Sequence, residues 1–192
     1  MGFSHLRFSQ HELQELLKSW AVLSFAFAIV LENQALSSGF LEGFFLSGLT
    51  VGVAFLFHEM GHKFVAQKFG CWAEFRAFDW GLLLAVFMAL FMGRVFAAPG
   101  AVFIGGQISR EQSGKIAVFG PLTNIFLAGI FFVLLHFFGE VKLFLYGYNV
   151  NSGLAFFNLW PFLFFDGFKI FLWRKEIWLL LMLTATALVF LG

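Results

Sequence analysis

Apolar residues in this chain come in long blocks broken by short polar interruptions, rather than alternating with polar residues at a helix or strand period. About 20 apolar residues are needed to cross a hydrocarbon core. The blocks therefore predict membrane spans at about 16–31, 44–69, 116–138, 149–172 and 177–191, the first slightly short. Ahead of them, Leu6, Leu13, Leu16 and Leu17 are set against His11, Glu12, Glu15 and Lys18. That mild amphipathicity predicts a cytoplasmic or interfacial segment over 1–15 lying on the membrane, with His5 and His11 at the surface. A cleaved signal peptide is the alternative for the amino end; the charged start fits one, but no clear A-x-A site follows.

A further apolar stretch, 81–104, is interrupted by Arg94 and by Pro99-Gly100. Within it, Ala101 to Ile104, followed by Gly105-Gly106, reads as a short β-segment. Charge placement bears on its path, because cytoplasmic loops collect Lys and Arg. If 81–104 enters and leaves on one side, every one of the 12 Lys and Arg residues except Lys142 falls on the cytoplasmic side. If it spans once, Arg110 and Lys115 move outside and the later segments invert. Re-entry is the preferred model, with six spans left open, and such irregular backbone must be buried in protein or line a wet cavity. The expected fold is an all-α polytopic membrane protein of about five to six transmembrane helices, with a small membrane-embedded β or re-entrant segment between the second and third spans. Residues 1–192 form a single domain, amino end inside and carboxyl end outside.

Composition sharpens this picture. Hydrophobic residues make up 60% of the chain and charged residues 12%, against roughly half and a quarter in soluble domains. Most of the surface must face lipid or buried protein, and 32 phenylalanines suit a lipid-facing exterior. A net charge of +1 with no basic cluster gives no sign of a nucleic-acid partner. Cys71 is the sole cysteine, so no intrachain disulfide exists, and it reads as a small apolar filler.

The candidate chemistry lies in the second span, at His58-Glu59-Met60-Gly61-His62. On a helix, residues four apart share a face, so the two imidazoles stack with Glu59 at their flank. In this H-E-x-x-H pattern the histidines bind Zn²⁺ and the carboxylate acts as general base toward water. No charged residue occurs from Phe44 to Phe57, so these groups lie within apolar sequence. Ionisable groups there cost about 2.5–3.5 kcal/mol each on insertion scales and are functional by default. Catalytic zinc commonly takes a third protein ligand. Cys71 follows the motif too closely and His136 lies at the far end of its span. Asp166 sits at a depth comparable to His58, in the cytoplasmic half of the bilayer, and is the candidate; its alternative role is to cap a helix end near Lys169.

With three segments in hand, His58-Glu59-Met60-Gly61-His62, Gly120-Pro121-Leu122-Thr123-Asn124, and Asn158-x-x-Pro161-x-x-x-x-Asp166-Gly167, the chain resembles the site-2 proteases, membrane-embedded zinc peptidases of intramembrane proteolysis. The resemblance covers roughly residues 50–172. The family's last motif usually has a second proline where this chain has Leu163, and a leucine where it has Phe165. Ala98-Pro99-Gly100-Ala101-Val102-Phe103-Ile104 looks like the family's short strand near the active site, whereas the insertion 81–97 is atypical. The resemblance implies one Zn²⁺ per chain held by His58, His62 and Asp166, with Glu59 as catalytic base. It also implies Asn124 and Asn158 as hydrogen-bond donors to substrate backbone or an oxyanion, polar glue between spans being the alternative for both. The implied partners are a transmembrane protein substrate, locally unwound and added as a strand beside 101–104, and the lipid bilayer itself. The compact chain points to a prokaryotic cell membrane. Three other readings stay open: a catalytically silent scaffold, which retention of Glu59 opposes; a metal-handling membrane protein, which would need ligands strung along a path; and another H-E-x-x-H membrane peptidase type, such as those cutting prenylated tails, which places its third ligand in different sequence surroundings.

Overall fold

A computed structural model of the protein describes residues 6–32, 38–95 and 98–191; His5 lies outside the described residues. Gln10–Glu32 form one 23-residue helix, α1. From Gln10 onward the expected interfacial segment and the first span are thus one rod, as no Gly or Pro between Gln10 and Glu32 would divide them, and residues 1–5 of that segment lie outside the described residues. Ser9 caps it, its hydroxyl accepting the Glu12 N–H at 3.0 Å. Next, α2 (Phe40–Ser47) and α3 (Val53–Lys68) are joined through a π-helical turn at Gly48–Gly52. The turn lies under Trp20 of α1, whose indole N–H donates to the Gly48 carbonyl at 2.9 Å. Local π geometry of this kind is frequent near functional sites.

The remaining elements are β1 (Trp72–Ala77), α4 (Asp79–Met92), β2 (Gly100–Gly105), α5 (Arg110–Phe138), α6 (Lys142–Asn158), α7 (Asp166–Trp173) and α8 (Lys175–Leu191). Among the described residues the protein is mostly helical, and three rods are long and apolar enough to cross a membrane: α1, Phe40–Lys68 and α5. α5 is the hub, packing against α3, α6 and α7. Its Ala117 shares a buried cluster with Ala155 and Leu159 of the α6 end and Ile170 of α7.

The expected span 149–172 is not one helix. α6 ends at Asn158, the chain turns through 159–165, and α7 restarts at Asp166. Pro161 has no N–H and biases the residue before it away from the helical region. The Leu159 carbonyl, freed at the break, accepts the Trp178 indole N–H of α8 at 2.7 Å. The turn folds so tightly that a Cβ at Gly167 would lie 2.0 Å from the Leu159 carbonyl oxygen, which only glycine avoids.

The short strand expected at 101–104 is present as β2, and its partner β1 was not anticipated. Trp72 to Ala77 pair antiparallel with Gly105 to Gly100. Everything between the strands therefore leaves and returns at one end of the sheet, where the Phe78 N–H donates to the Pro99 carbonyl at 3.0 Å. Within this excursion α4 lies along α1, Ala85 and Ala89 against Ala26 and Ile29, with Lys18 paired to Asp79 at its start. Arg94 had been grouped with Lys18 by charge. It follows α4's far end instead, beside Val95, which packs in the same cluster as Val30 of α1.

The outer edge of β1 is covered by side chains of α1 and α3. Glu12 accepts the Phe75 N–H at 2.9 Å and Glu15 the Ala77 N–H at 3.0 Å, while Lys63 donates to the Ala73 carbonyl at 2.8 Å. Glu12 and Lys63 are both fully buried, with the ammonium 2.8 Å from each carboxylate oxygen. This pair ties α1 to the strand and to α3. Breaking a buried ion pair from one side costs about 3–5 kcal/mol, because the other charge is left uncompensated. Lys63→Ala is therefore expected to lower the thermal unfolding midpoint in detergent sharply. The double variant Glu12→Leu with Lys63→Met should recover only part of the loss, because the Phe75 N–H and the Ala73 carbonyl then lose these partners, as calorimetry can check.

Candidate metal centre

His58 and His62 lie one turn apart on α3 with ring centroids 4.8 Å apart, both buried. Across from them, Asp166 is the first residue of α7, and the α6–α7 break turns its carboxylate toward the imidazoles. Its Oδ2 is 3.2 Å from His58 Nε2 and 3.0 Å from His62 Nε2. One ligand atom from each of the three residues lies within 4.8 Å of the others. The capping role considered for Asp166 near Lys169 is a minor feature: the ammonium is 3.8 Å from Oδ1 and half exposed.

The fit to a metal can be tested on the outer ring nitrogens. His62 Nδ1 faces the Ile116 carbonyl at 2.9 Å. A carbonyl only accepts, so this nitrogen carries the proton and Nε2 presents its lone pair. Pro121, lacking an N–H, opens the α5 turn beside that carbonyl. His58 Nδ1 faces Asn124 Oδ1 at 2.6 Å. The amide can point only that way, because Asn124 Nδ2 donates to the Ala54 carbonyl at 3.1 Å and to Asn151 Oδ1 at 3.0 Å. Both histidines are thus fixed with Nε2 free for a metal, the usual arrangement around a zinc-bound imidazole. Zinc bonds of about 2.0–2.1 Å in a tetrahedron place ligand atoms about 3.3 Å apart; the two pairs made by Asp166, at 3.0 and 3.2 Å, are close to that, and the pair between the histidines lies within 4.8 Å. The donor set of two imidazoles and a carboxylate suits Zn²⁺.

Room for an ion comes from Gly120. A Cβ there would lie 2.4 Å from His62 Nε2 and 2.6 Å from His58 Nε2. It was visible in the sequence as part of Gly-Pro-x-x-Asn, without a role.

Glu59 is buried beside the pair, its Oε2 accepting the Val102 N–H of β2 at 3.0 Å. His58, Glu59, His62 and Asp166 all line one cavity of about 610 Å³, whose far wall is Ala98 to Val102. Asn158 lines it too, with its Nδ2 donating to the Leu154 carbonyl at 2.9 Å. Asn124 does not line it; its amide is spent on His58, Ala54 and Asn151. Sequence reasoning missed two contributors. Ile116 acts through its backbone and leaves no signal in residue type. Asn151 could be found only as a polar residue within an apolar segment.

Fold and site together define a helical, predominantly apolar protein in which an H-E-x-x-H motif and a distant aspartate form a His-His-Asp cluster suited to a metal ion. The chain is 41% identical over 180 residues to a protein of Methanocaldococcus jannaschii named "Putative zinc metalloprotease", a match covering 91% of each. It belongs to that zinc metalloprotease family. No family model and no solved structure matches it.

Gly120→Ala should fill the space between the two Nε2 atoms. Zinc retained after dialysis, measured by atomic emission, is expected to fall by at least about tenfold. Far-UV circular dichroism should stay unchanged, since alanine is a good helix former.

Proposed function

We propose that this protein is a site-2-type intramembrane zinc peptidase that hydrolyses peptide bonds in or near transmembrane helices of other proteins. The observation that carries the reading is the joining of three things in one cavity: the His58, His62 and Asp166 cluster, the Glu59 carboxylate, and the outer edge of β2. His58, His62 and Asp166 would hold one Zn²⁺, which when bound supplies Lewis acidity, activating water near neutral pH and polarising a carbonyl.

The chain's own residues do the rest. Glu59 takes the proton of the attacking water and delivers it to the leaving amide nitrogen. A substrate helix must unwind locally before its peptide bond is accessible, and the freed backbone groups then need partners. β2 supplies them by strand addition. Its outer edge runs along the cavity, while that of β1 is closed by Glu12, Glu15 and Lys63. Asn158 at the cavity wall hydrogen-bonds substrate backbone; Asn124 serves the metal ligand behind it.

The membrane setting follows the same logic. α1, Phe40–Lys68 and α5 cross the bilayer, joined by α8 and by α6 with α7 as an interrupted span. Residues 79–99 enter and leave on one side, as their closure at the sheet end favours. The centre then lies in the cytoplasmic half of a prokaryotic cell membrane, with the whole chain one domain.

Purified protein with a transmembrane substrate in detergent tests this directly. Cleavage is expected to need zinc and to stop with 1,10-phenanthroline. Glu59→Gln should lower the rate by about 10²–10⁴-fold while bound zinc stays at the wild-type level. An undiminished Glu59→Gln rate removes the base from the mechanism, and chelator-insensitive cleavage removes the metal.

A further inference from the structure

Asn151 of α6 hydrogen-bonds to none of the three metal ligands and does not line the catalytic cavity, yet it is 1% exposed in the middle of three packed helices. Its Nδ2 donates to the Gly147 carbonyl of its own helix at 2.8 Å. Its Oδ1 must therefore face the other way, where it accepts Asn124 Nδ2 at 3.0 Å. The second Asn124 N–H is taken by the Ala54 carbonyl of α3 at 3.1 Å. With both amide hydrogens committed, Asn124 Oδ1 faces His58 Nδ1 at 2.6 Å. Donor and acceptor alternate without exception from Gly147 to His58, and a carbonyl, which cannot donate, fixes the polarity at each open end.

We infer that Asn151 is a positioning residue for the metal centre, resting on the zinc reading of His58, His62 and Asp166: it holds the Asn124 amide in the orientation that keeps the His58 proton on Nδ1 and the Nε2 lone pair toward the ion. Without its acceptor, one buried Asn124 N–H has no partner and the amide loses half of what resists its rotation. A rotated amide would present an N–H to His58 Nδ1 and move the ring proton to Nε2, where it blocks the metal. Outer-shell partners of this kind typically change metal affinity by 10–100-fold when removed. A residue that served packing alone would alter stability and leave affinity untouched.

The experiment is a competition titration of zinc against a chromophoric chelator, in detergent, with wild-type protein and two variants. Asn151→Leu keeps the branched four-atom side chain and removes the acceptor; it is expected to bind zinc about tenfold more weakly. Asn151→Asp keeps an acceptor toward Asn124 and, held protonated by burial, a donor toward Gly147. Its affinity should lie within about threefold of wild type, well short of the loss that follows removal of an outer-shell partner. Histidine-selective ¹⁵N spectra of the metal-free proteins supply a second readout: His58 should be Nδ1-protonated in wild type and Asn151→Asp, and shifted toward the other tautomer in Asn151→Leu.

Wild-type affinity in a folded Asn151→Leu protein overturns the inference while leaving the protease reading intact. Should Asn151→Leu fail to fold, Asn151→Asp decides, a tenfold loss of affinity there overturning the inference as well. Wild-type protein that binds no zinc removes the metal centre and this role with it.

Discussion

Two imidazoles can serve one ion only if their outer nitrogens hold the protons, and that requirement shapes most of the interior. α5 meets it from one side. Its Ile116 carbonyl faces His62, and Asn124, two turns further along, faces His58. Between them, Gly120 leaves the space in which the inner nitrogens meet Asp166. Nine residues of α5, Ile116 to Asn124, thus orient one histidine, keep the centre open and orient the other. Pro121 falls in the same stretch, fully buried, and its missing N–H leaves the Ala117 carbonyl without the usual helical donor. The packing of α3, α6 and α7 on this one helix brings the site together.

The sheet solves a separate problem. A two-stranded sheet has two unpaired edges, and an unpaired edge is a template for any extended segment. α1 closes one of them with two carboxylates, and α3 contributes an ammonium from the residue beside His62. The other edge is left along the cavity, with Glu59 anchored on its Val102 N–H. The buried Glu12–Lys63 pair therefore does more than join two helices: it gives the sheet a closed side and an accessible side.

What could be read from the chain alone depended on how far apart the partners lie. The facing of His58 and His62 follows from helix geometry over four residues, and the long apolar rods follow from local composition. Asp166 was within reach because a carboxylate in an apolar segment demands a partner. By contrast, the reading of 149–172 as one span weighed mean hydropathy over Pro161, and the structure breaks there. β1 was missed because Trp72 to Ala77 carry only two polar residues in six and acquire strand geometry by pairing with residues nearly thirty positions later. The role of Asn124 was hidden for a similar reason. Its amide is oriented by Ala54 and Asn151, which lie 70 and 27 positions away.

The hydrogen bond from Phe78 to Pro99 has a consequence for how this architecture can vary. A segment pinched shut at its base adds length without displacing what lies outside the pinch, and the entropy of closure grows only with the logarithm of its length. α4 and the residues after it as far as Val95 hang from the sheet as such an appendage, packed on α1, while Ala98 and Pro99 at its base line the cavity. Lineages sharing this centre can lengthen, shorten or restyle that appendage as their membranes and neighbours demand, with the chemistry beneath it held constant.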